Sequence, residues 1–117
     1  MCNIVTIIPF SIDLKTRDIN ILFEVNDSFI QNNKVDDNQF DIFLSDIISK
    51  YLEIHADWVK FFLVDVKQVE QSSSVDIIYT CLIPEQTRLL SGKWVKIQDI
   101  NGDKNELIKL AIKKVWH

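Results

Sequence analysis

Two apolar runs and one polar stretch fill the first third of the chain. Residues 2–10 are rich in Ile and Val and predict a buried strand that Pro9 closes. Residues 18–25 alternate apolar with polar positions, which is the period of a half-buried strand. The polar link 13–17 between them predicts an antiparallel hairpin. Residues 26–39 are polar and contain no Gly, and we interpret them as a loop.

Residues 40–52 carry the clearest helical pattern in the chain. Their apolar positions recur at i, i+3, i+4, i+7, i+8, i+11 and i+12, which makes a wide stripe on a 3.6-residue period. The stripe consists of Phe40, Phe43, Leu44, Ile47, Ile48, Tyr51 and Leu52. Asp37 or Asn38 can cap the N-terminus of this helix, because a side-chain oxygen there accepts a hydrogen bond from a free amide.

Three strands are predicted in the next part of the chain. Residues 58–69 and 75–83 form a strand pair joined by the polar link 70–74. A longer link, 84–91, leads to a short strand at 93–97.

The last helix begins near Asp103, because Asp103 and Glu106 have the spacing of a capping box. Apolar residues at helical period continue it to Val115. No linker interrupts this series of elements, so we expect one domain over residues 1–117.

The composition is that of an ordered globular protein, with 47% hydrophobic and 26% charged residues and only two Gly and two Pro. A net charge of −4 argues against nucleic acid as a partner, because phosphate-backbone binding depends on Lys and Arg. The first residues lack a basic segment and their apolar run is too short to span a bilayer. We therefore expect a cytoplasmic protein without a membrane anchor. Cys2 and Cys81 lack metal-binding spacing, and we predict free buried thiols.

Three segments and the order of elements resemble the Nudix hydrolase superfamily. VDIIYTCLIPEQ (75–86) is similar to the family's apolar strand that ends at a Pro, and SGKWVKIQDI (91–100) to its Trp-containing segment. NELIKLAIKKV (105–115) is similar to the closing helix. The resemblance implies an α/β fold of the α+β type: a Nudix-like α/β/α sandwich with a mixed sheet and two main helices.

The resemblance also implies a metal site that this chain does not reproduce. In the family, glutamates on the first helix hold Mg²⁺ or Mn²⁺ against a diphosphate. Aligned in one register, this chain offers Asp46, Ser49 and Lys50 at those positions. The neighbouring register offers Ile47, Lys50 and Tyr51, with no carboxylate. We therefore predict a degenerate Nudix box with no catalytic residues, no metal ligands and no cofactor.

Two other interpretations of the acidic residues stay open. A divergent hydrolase can recruit Mg²⁺ or Mn²⁺ ligands from Asp36, Asp37, Asp46 and Glu53. Asp46 and Lys50, spaced i and i+4, can instead form an exposed ion pair on a solvated helix face. The group Glu53, His55 and Asp57 favours a surface turn, because that spacing fixes no ligand geometry.

Aromatic residues are the candidate ligand contacts. A Nudix-like fold brings Phe29, Phe61, Tyr79 and Trp94 toward its cleft, where a base or ring can stack, although core packing explains the same residues. Phe61 and Phe62 are adjacent on a strand and must point to opposite faces.

Three functions follow from these observations. The first is a non-catalytic Nudix-like domain that binds a nucleotide or sugar derivative, or a protein partner. The second is a divergent metal-dependent hydrolase of nucleoside diphosphate derivatives. The third is an interaction module without a small-molecule site. Trp116 beyond the last helix either packs on the core or faces a neighbour, which would favour a homodimer.

Overall fold

The computed structural model describes residues 3–34, 40–70 and 73–116. Two helices and eight strands occur in these ranges, with short 3₁₀ turns at Ala56–Trp58 and Ile97–Asp99. The helices are α1 (Phe40–Tyr51) and α2 (Asp103–Val115). The strands are β1 (Asn3–Ile12), β2 (Ile19–Phe23), β3 (Ile30–Lys34), β4 (Leu52–Glu53), β5 (Phe61–Gln68), β6 (Val75–Leu82), β7 (Arg88–Leu89) and β8 (Lys93–Lys96).

The main sheet is mixed and is centred on β1. Its order is β5-β6-β1-β2-β8, with β3 pairing to β1 beside β2. The β1–β6 pair is parallel and the other pairs are antiparallel. The expected β1–β2 hairpin is present, but Pro9 does not close β1, which continues to Ile12. Pairing with β3 ends at Ile7 and pairing with β2 begins at Phe10, so the missing amide of Pro9 falls between two partners.

Each face of the sheet is covered by one helix. Leu44, Ile47 and Ile48 of α1 pack with Val5, Ile7, Leu22, Ile30, Leu52, Cys81 and Ile83. Ile108 and Ala111 of α2 pack on the opposite face with Ile8, Phe10, Ile21, Phe23, Val64, Ile78 and Ile100. Because side chains alternate along a strand, successive residues of β1 pack alternately in the two cores. This is the predicted α/β/α sandwich with a mixed sheet and two main helices.

The prediction of a loop over residues 26–39 is wrong for part of that range. Ile30–Lys34 forms β3, which pairs with Asn3 to Ile7. Strand pairing uses backbone groups, so a polar sequence can form an edge strand when some positions are buried. Ile30 is buried, and Lys34 is buried with its ammonium 5.0 Å from the Phe40 ring centroid and 4.9 Å from that of Phe43.

The predicted link 84–91 also contains structure. Arg88–Leu89 forms β7, a two-residue partner for β4, and the helix ends at Tyr51 because Leu52 belongs to β4. The Tyr51 carbonyl accepts hydrogen bonds from the amides of Leu90 and Ser91, at 2.7 and 3.2 Å. This small ribbon therefore fixes the C-terminal end of α1.

The capping box predicted for α2 is not formed. Gly102, at φ 75°, occupies the N-cap position, so Asp103 is the first helical residue and no side chain caps the amides. At the other end, Trp116 packs edge-on against Phe10, with ring centroids 5.5 Å apart. The predicted α1 caps, Asp37 and Asn38, lie outside the described residues.

Cys81 is a free, buried thiol, and burial raises the pKa of that thiol well above its usual range. The prediction of a free buried thiol is therefore confirmed for Cys81. Cys2 lies outside the described residues.

Candidate functional site

A cleft of about 750 Å³ borders the outer side of α1. Leu44, Ile47 and Ile48 point into the core, so positions 41, 42, 45 and 46 face outward on the other side of the helix. The chain after β4 turns back past this surface and supplies the second wall. The cleft is lined by Asp41, Ile42, Ser45, Asp46, Asp57, Val59, Lys60 and Phe61.

Three carboxylates border this cleft without converging. Asp41 and Asp46 are five residues apart, so their side chains leave the helix axis about 140° apart. Within residues 3–34, 40–70 and 73–116, no three His, Cys, Asp or Glu side chains come together as a metal site. Asp46 and Lys50 are exposed, and Ser49 donates its hydroxyl hydrogen bond to the Ser45 carbonyl at 2.8 Å. The carboxylates on α1 therefore lie apart from one another in the described part of the chain.

The other predicted metal candidate belongs to a different feature. Glu53 lies on β4, where its Oε2 is 3.5 Å from Arg88 Nη1 on β7, and both side chains are exposed. This ion pair spans the small ribbon and not the cleft. Asp36 and Asp37, the remaining candidates, lie outside the described residues.

His55, Asp57 and Trp58 form an exposed turn at the start of the segment that makes the second wall of the cleft. The Asp57 amide donates to His55 Nδ1 at 3.3 Å, and the Asp57 carboxylate lies 3.6 Å from the same nitrogen. The Trp58 ring lies 6.0 Å from the imidazole and is largely exposed.

Two of the four predicted aromatic contacts lie near the cleft. Phe61 lines it, and both Phe61 and Tyr79 pack on the α1 core. Tyr79 is 6.0 Å from the Phe40 ring, and its pKa is raised by partial burial and by the negative charge of Asp41. Tyr79 itself is not among the residues that line the cleft.

The other two aromatic residues are elsewhere. Trp94 lies on β8 and Phe61 on β5, the opposite edges of the sheet, so four strand spacings separate them by about 19 Å. Phe29 is on the α2 side, stacked on Phe23 at 5.3 Å. The four residues therefore do not form one pocket.

Lys60 is the cationic residue among those lining the cleft, and it was not predicted from the sequence. Its ammonium lies 5.2 Å from the centroid of the Phe62 ring and is exposed. Asp41 and Ser45 were also not predicted. The sequence pattern that could have indicated them is the polar pair Asp41 and Ser45, spaced i and i+4. Beside it lies Ile42, an apolar residue on the polar side of α1 that is 57% exposed.

A hydrogen-bonded acid and phenol lie at the C-terminal end of α1. Partial burial raises the pKa of Tyr51 to about 12, and a hydrogen bond with the Glu24 carboxylate adds to this. Glu24 Oε1 is buried and has no hydrogen-bond partner. Nearby, Gly92 adopts φ 83°, and a Cβ there would meet the Phe23 carbonyl oxygen at 2.6 Å. These contacts fix the position of the C-terminal end of α1.

A second cavity, a groove of about 920 Å³, runs along α2 on the other side of the sheet. Its walls combine aliphatic with charged side chains. They are Ile19, Ile97, Leu107, Leu110 and Ile112 together with Lys67, Asp103, Glu106, Lys109 and Lys113. It contains none of the residues predicted as ligand contacts or metal ligands.

No protein-family model matches the chain, and no curated protein matches it. Solved structures do match over nearly the whole chain. A protein assigned as a NUDIX hydrolase from Listeria monocytogenes has a TM-score of 0.62 at 15% identity, covering 97% of this chain and 90% of that chain. The NUDIX domain of Shewanella oneidensis NrtR, in complex with ADP ribose, has a TM-score of 0.60 at 13% identity, covering 96% and 86%.

An Ap4A hydrolase from C. elegans, solved as a binary complex, has a TM-score of 0.55 at 9% identity, covering 98% of each chain. At such low identities these likenesses show the fold alone, and the fold is Nudix-like. The two helices in the described residues are too short to cross a membrane.

Proposed function

We propose that this chain is a non-catalytic, Nudix-like domain that binds a nucleotide or sugar derivative in the cleft beside α1. The observation that carries the proposal is the composition of that cleft: separated carboxylates, a hydroxyl and an aromatic ring in about 750 Å³. Such walls suit a sugar, because carboxylates accept hydrogen bonds from ribose hydroxyls and a ring packs against a base.

Each part of a nucleoside diphosphate derivative has a candidate contact. Asp41 and Asp46 lie on the two sides of the α1 surface and can accept from hydroxyl groups, while Phe61 offers an aromatic surface. Lys60 is exposed, so its side chain can turn from the Phe62 ring toward a phosphate. ADP-ribose is the first ligand to test, since it is bound by the NrtR domain of the same fold.

Calorimetric titration with ADP-ribose in the presence of EDTA tests the proposal. We expect saturable binding without a divalent cation, and we expect Phe61→Leu to raise the dissociation constant about tenfold. Trp94→Leu is the matched control, because Trp94 is half-buried against the same core but on the far edge of the sheet. Equal losses in both variants, or no binding of ADP-ribose or any other nucleotide or sugar derivative by the wild type, would contradict this site.

A divergent hydrolase is the second candidate, favoured by the three carboxylates that border one cleft. It requires Asp46 and its neighbours to gather around Mg²⁺ or Mn²⁺. Incubation of ADP-ribose with the protein and either cation, followed by chromatography of the products, separates the two functions. We expect no AMP above the protein-free control. Turnover that Asp46→Ala abolishes would establish the hydrolase instead.

An interaction module is the third candidate, and exposed apolar side chains on β5 favour it. A ligand that binds only the folded state must raise the melting temperature. A thermal-shift screen of nucleotides and sugars therefore separates this function from the first. A cytoplasmic location would suit a nucleotide ligand and stays a prediction, as does the homodimer.

A further inference from the structure

Strand β5 forms one edge of the main sheet. It is eight residues long, and in the described part of the chain it pairs with β6 on one side only. The backbone groups on its other side therefore face outward. An unpaired edge of this length is a template for a further strand.

The hairpin fixes which backbone groups face outward. The Val69 amide donates to the Ser74 carbonyl at 3.0 Å, closing the β5–β6 turn. Antiparallel pairs alternate between hydrogen-bonded and non-hydrogen-bonded, so Lys67 and Asp65 direct their amides toward β6 and Val66 directs its amide outward. A 2.8 Å hydrogen bond from the Val66 amide to the Asp65 carboxylate agrees with this direction.

The side chains around Val66 are apolar on one face and of opposite charge on the other. Leu63 and Val66 are 51% and 52% exposed, beyond the cover of α1. Asp65 and Lys67 flank Val66 on the α2 face of the strand, because positions 65 and 67 pair with Ile78 and Asp76. The charges are therefore placed symmetrically about Val66.

We propose that a second copy of this chain pairs with β5 in an antiparallel register, with the two-fold axis at Val66. Each Val66 amide then donates to the Val66 carbonyl of the other copy. Asp65 lies directly opposite Lys67 of the second copy, and Lys67 opposite its Asp65, at a separation where opposite charges attract. Val66 packs on its own symmetry mate on the apolar face. The Asp65 carboxylate, which accepts the Val66 amide in the free chain, is released to meet the lysine.

This interface is weak and separate from the cleft. The irregularity between Leu63 and Asp65 confines regular pairing to the C-terminal half of β5, so the ladder is short. Small interfaces of this kind form reversible complexes. Val66 lies about 17 Å along the strand from Phe61, the cleft residue, so dimerisation and ligand binding can fail independently.

Sedimentation equilibrium over a series of protein concentrations tests the pairing. We expect the wild type to dimerise reversibly and Val66→Pro to be monomeric over the same range. The Val66 amide points away from β6, so proline there removes the contact between copies and no bond to β6. Val66→Ala keeps the amide but shortens the side chain that packs on its symmetry mate, so it should weaken the dimer less than Val66→Pro does. Circular-dichroism melts establish that each variant is folded.

Charge exchange tests the register. Asp65→Lys and Lys67→Asp each place like charges opposite one another, and each should raise the dimer dissociation constant at least about tenfold. Mixed together, the two variants should form a heterodimer, and the double variant D65K/K67D should dimerise like the wild type. A wild type that stays monomeric, or a dimer that Val66→Pro leaves intact, overturns the proposal. If a charge variant unfolds because position 67 lies opposite Asp76, the proline result decides.

Discussion

The cleft beside α1 and the groove along α2 lie on opposite sides of one sheet and differ in the chemistry of their walls. The cleft beside α1 has three aspartates, a serine, a lysine, a phenylalanine and two aliphatic residues. The groove along α2 has five aliphatic residues and five charged ones, with no aromatic side chain. Both arise in the same way, from a helix that buries an apolar stripe on a sheet. The chemistry of their side chains therefore distinguishes the two, and the proposed ligand belongs to the cleft beside α1.

The largest expected effects come from the inner faces of the two helices, which should behave alike. Leu44→Ala in α1 and Ile108→Ala in α2 each remove a fully buried side chain. Each should lower the free energy of unfolding by about 2–5 kcal/mol, measured by urea denaturation.

The matched outer-face variants are Ile42→Ala and Leu110→Ala, which border the cleft and the groove and are 57% and 39% exposed. They should cost less than about 1 kcal/mol. If the outer-face variants lowered the free energy of unfolding as much as the inner-face ones, Ile42 and Leu110 would be part of the packed core and not walls of open cavities.

The glycines at the ends of the two helices should differ in their tolerance of a side chain. Gly92→Ala at the end of α1 should lower the free energy of unfolding by about 3 kcal/mol, because φ is 83° and the Cβ collides with the Phe23 carbonyl. Gly102→Ala before α2 should lower the free energy of unfolding by about 1 kcal/mol. The positive φ strains an alanine backbone there, but the added Cβ meets no other atom. Chemical denaturation of both variants measures the difference. A smaller loss at Gly92 than at Gly102 would contradict the packing described at the end of α1.

Tyr51 should make the α1 side sensitive to alkaline pH. Its pKa is about 12 in the folded chain and about 10 when unfolded. Below about pH 10 both states keep the phenol proton, so the contribution is constant. Above it the unfolded state releases the proton first, and the free energy of unfolding falls until about pH 12.

Urea denaturation of the wild type and Tyr51→Phe at about pH 9 and about pH 11.5 measures this contribution. We expect a smaller alkaline loss in the variant, although Tyr79, whose pKa is also raised, keeps part of it. Parallel losses in the two proteins would rule out Tyr51 as the source.

The smallest effect distinguishes the charges of the two cavities. Asp46→Asn keeps the shape of the side chain but weakens its acceptance of a hydroxyl hydrogen bond, so ADP-ribose affinity should fall by about 1 kcal/mol. Glu106→Gln makes the same change in the groove along α2 and should leave affinity unchanged. Calorimetry measures both. A loss confined to Glu106→Gln would move the ligand to the other side of the sheet.

Hydrophobic periodicity predicted the helices and most strands because each has a long buried stripe. It did not predict β3, whose pairing depends on backbone groups and on burial of Lys34 near the Phe40 and Phe43 rings. Nor did it predict β4 and β7, since two residues are too few to show a period. The capping box at Asp103 had the right spacing, but the positive φ of Gly102 moved the helix start by one residue.

Only part of the candidate site could be predicted from the sequence. Phe61 was expected near a cleft and lines one, and Asp46, considered only as an alternative metal ligand or an exposed ion-pair partner, lines the same cleft. Asp41 and Lys60 were not identified, because their roles depend on which segment turns back over α1. Phe29 and Trp94 were grouped with Phe61 on aromatic character, yet one lies on the other face of the sheet and the other on its far edge. Pairing order and strand faces, which decide these distances, are tertiary features.

The most direct test of the central claim is an NMR titration of the ¹⁵N-labelled protein with ADP-ribose in EDTA. We expect saturable chemical-shift changes in the amides of α1 from Asp41 to Asp46 and of the segment from Asp57 to Phe61, without added metal. Changes centred on the groove along α2, or changes that appear only with Mg²⁺ or Mn²⁺, would contradict metal-independent binding in the cleft beside α1.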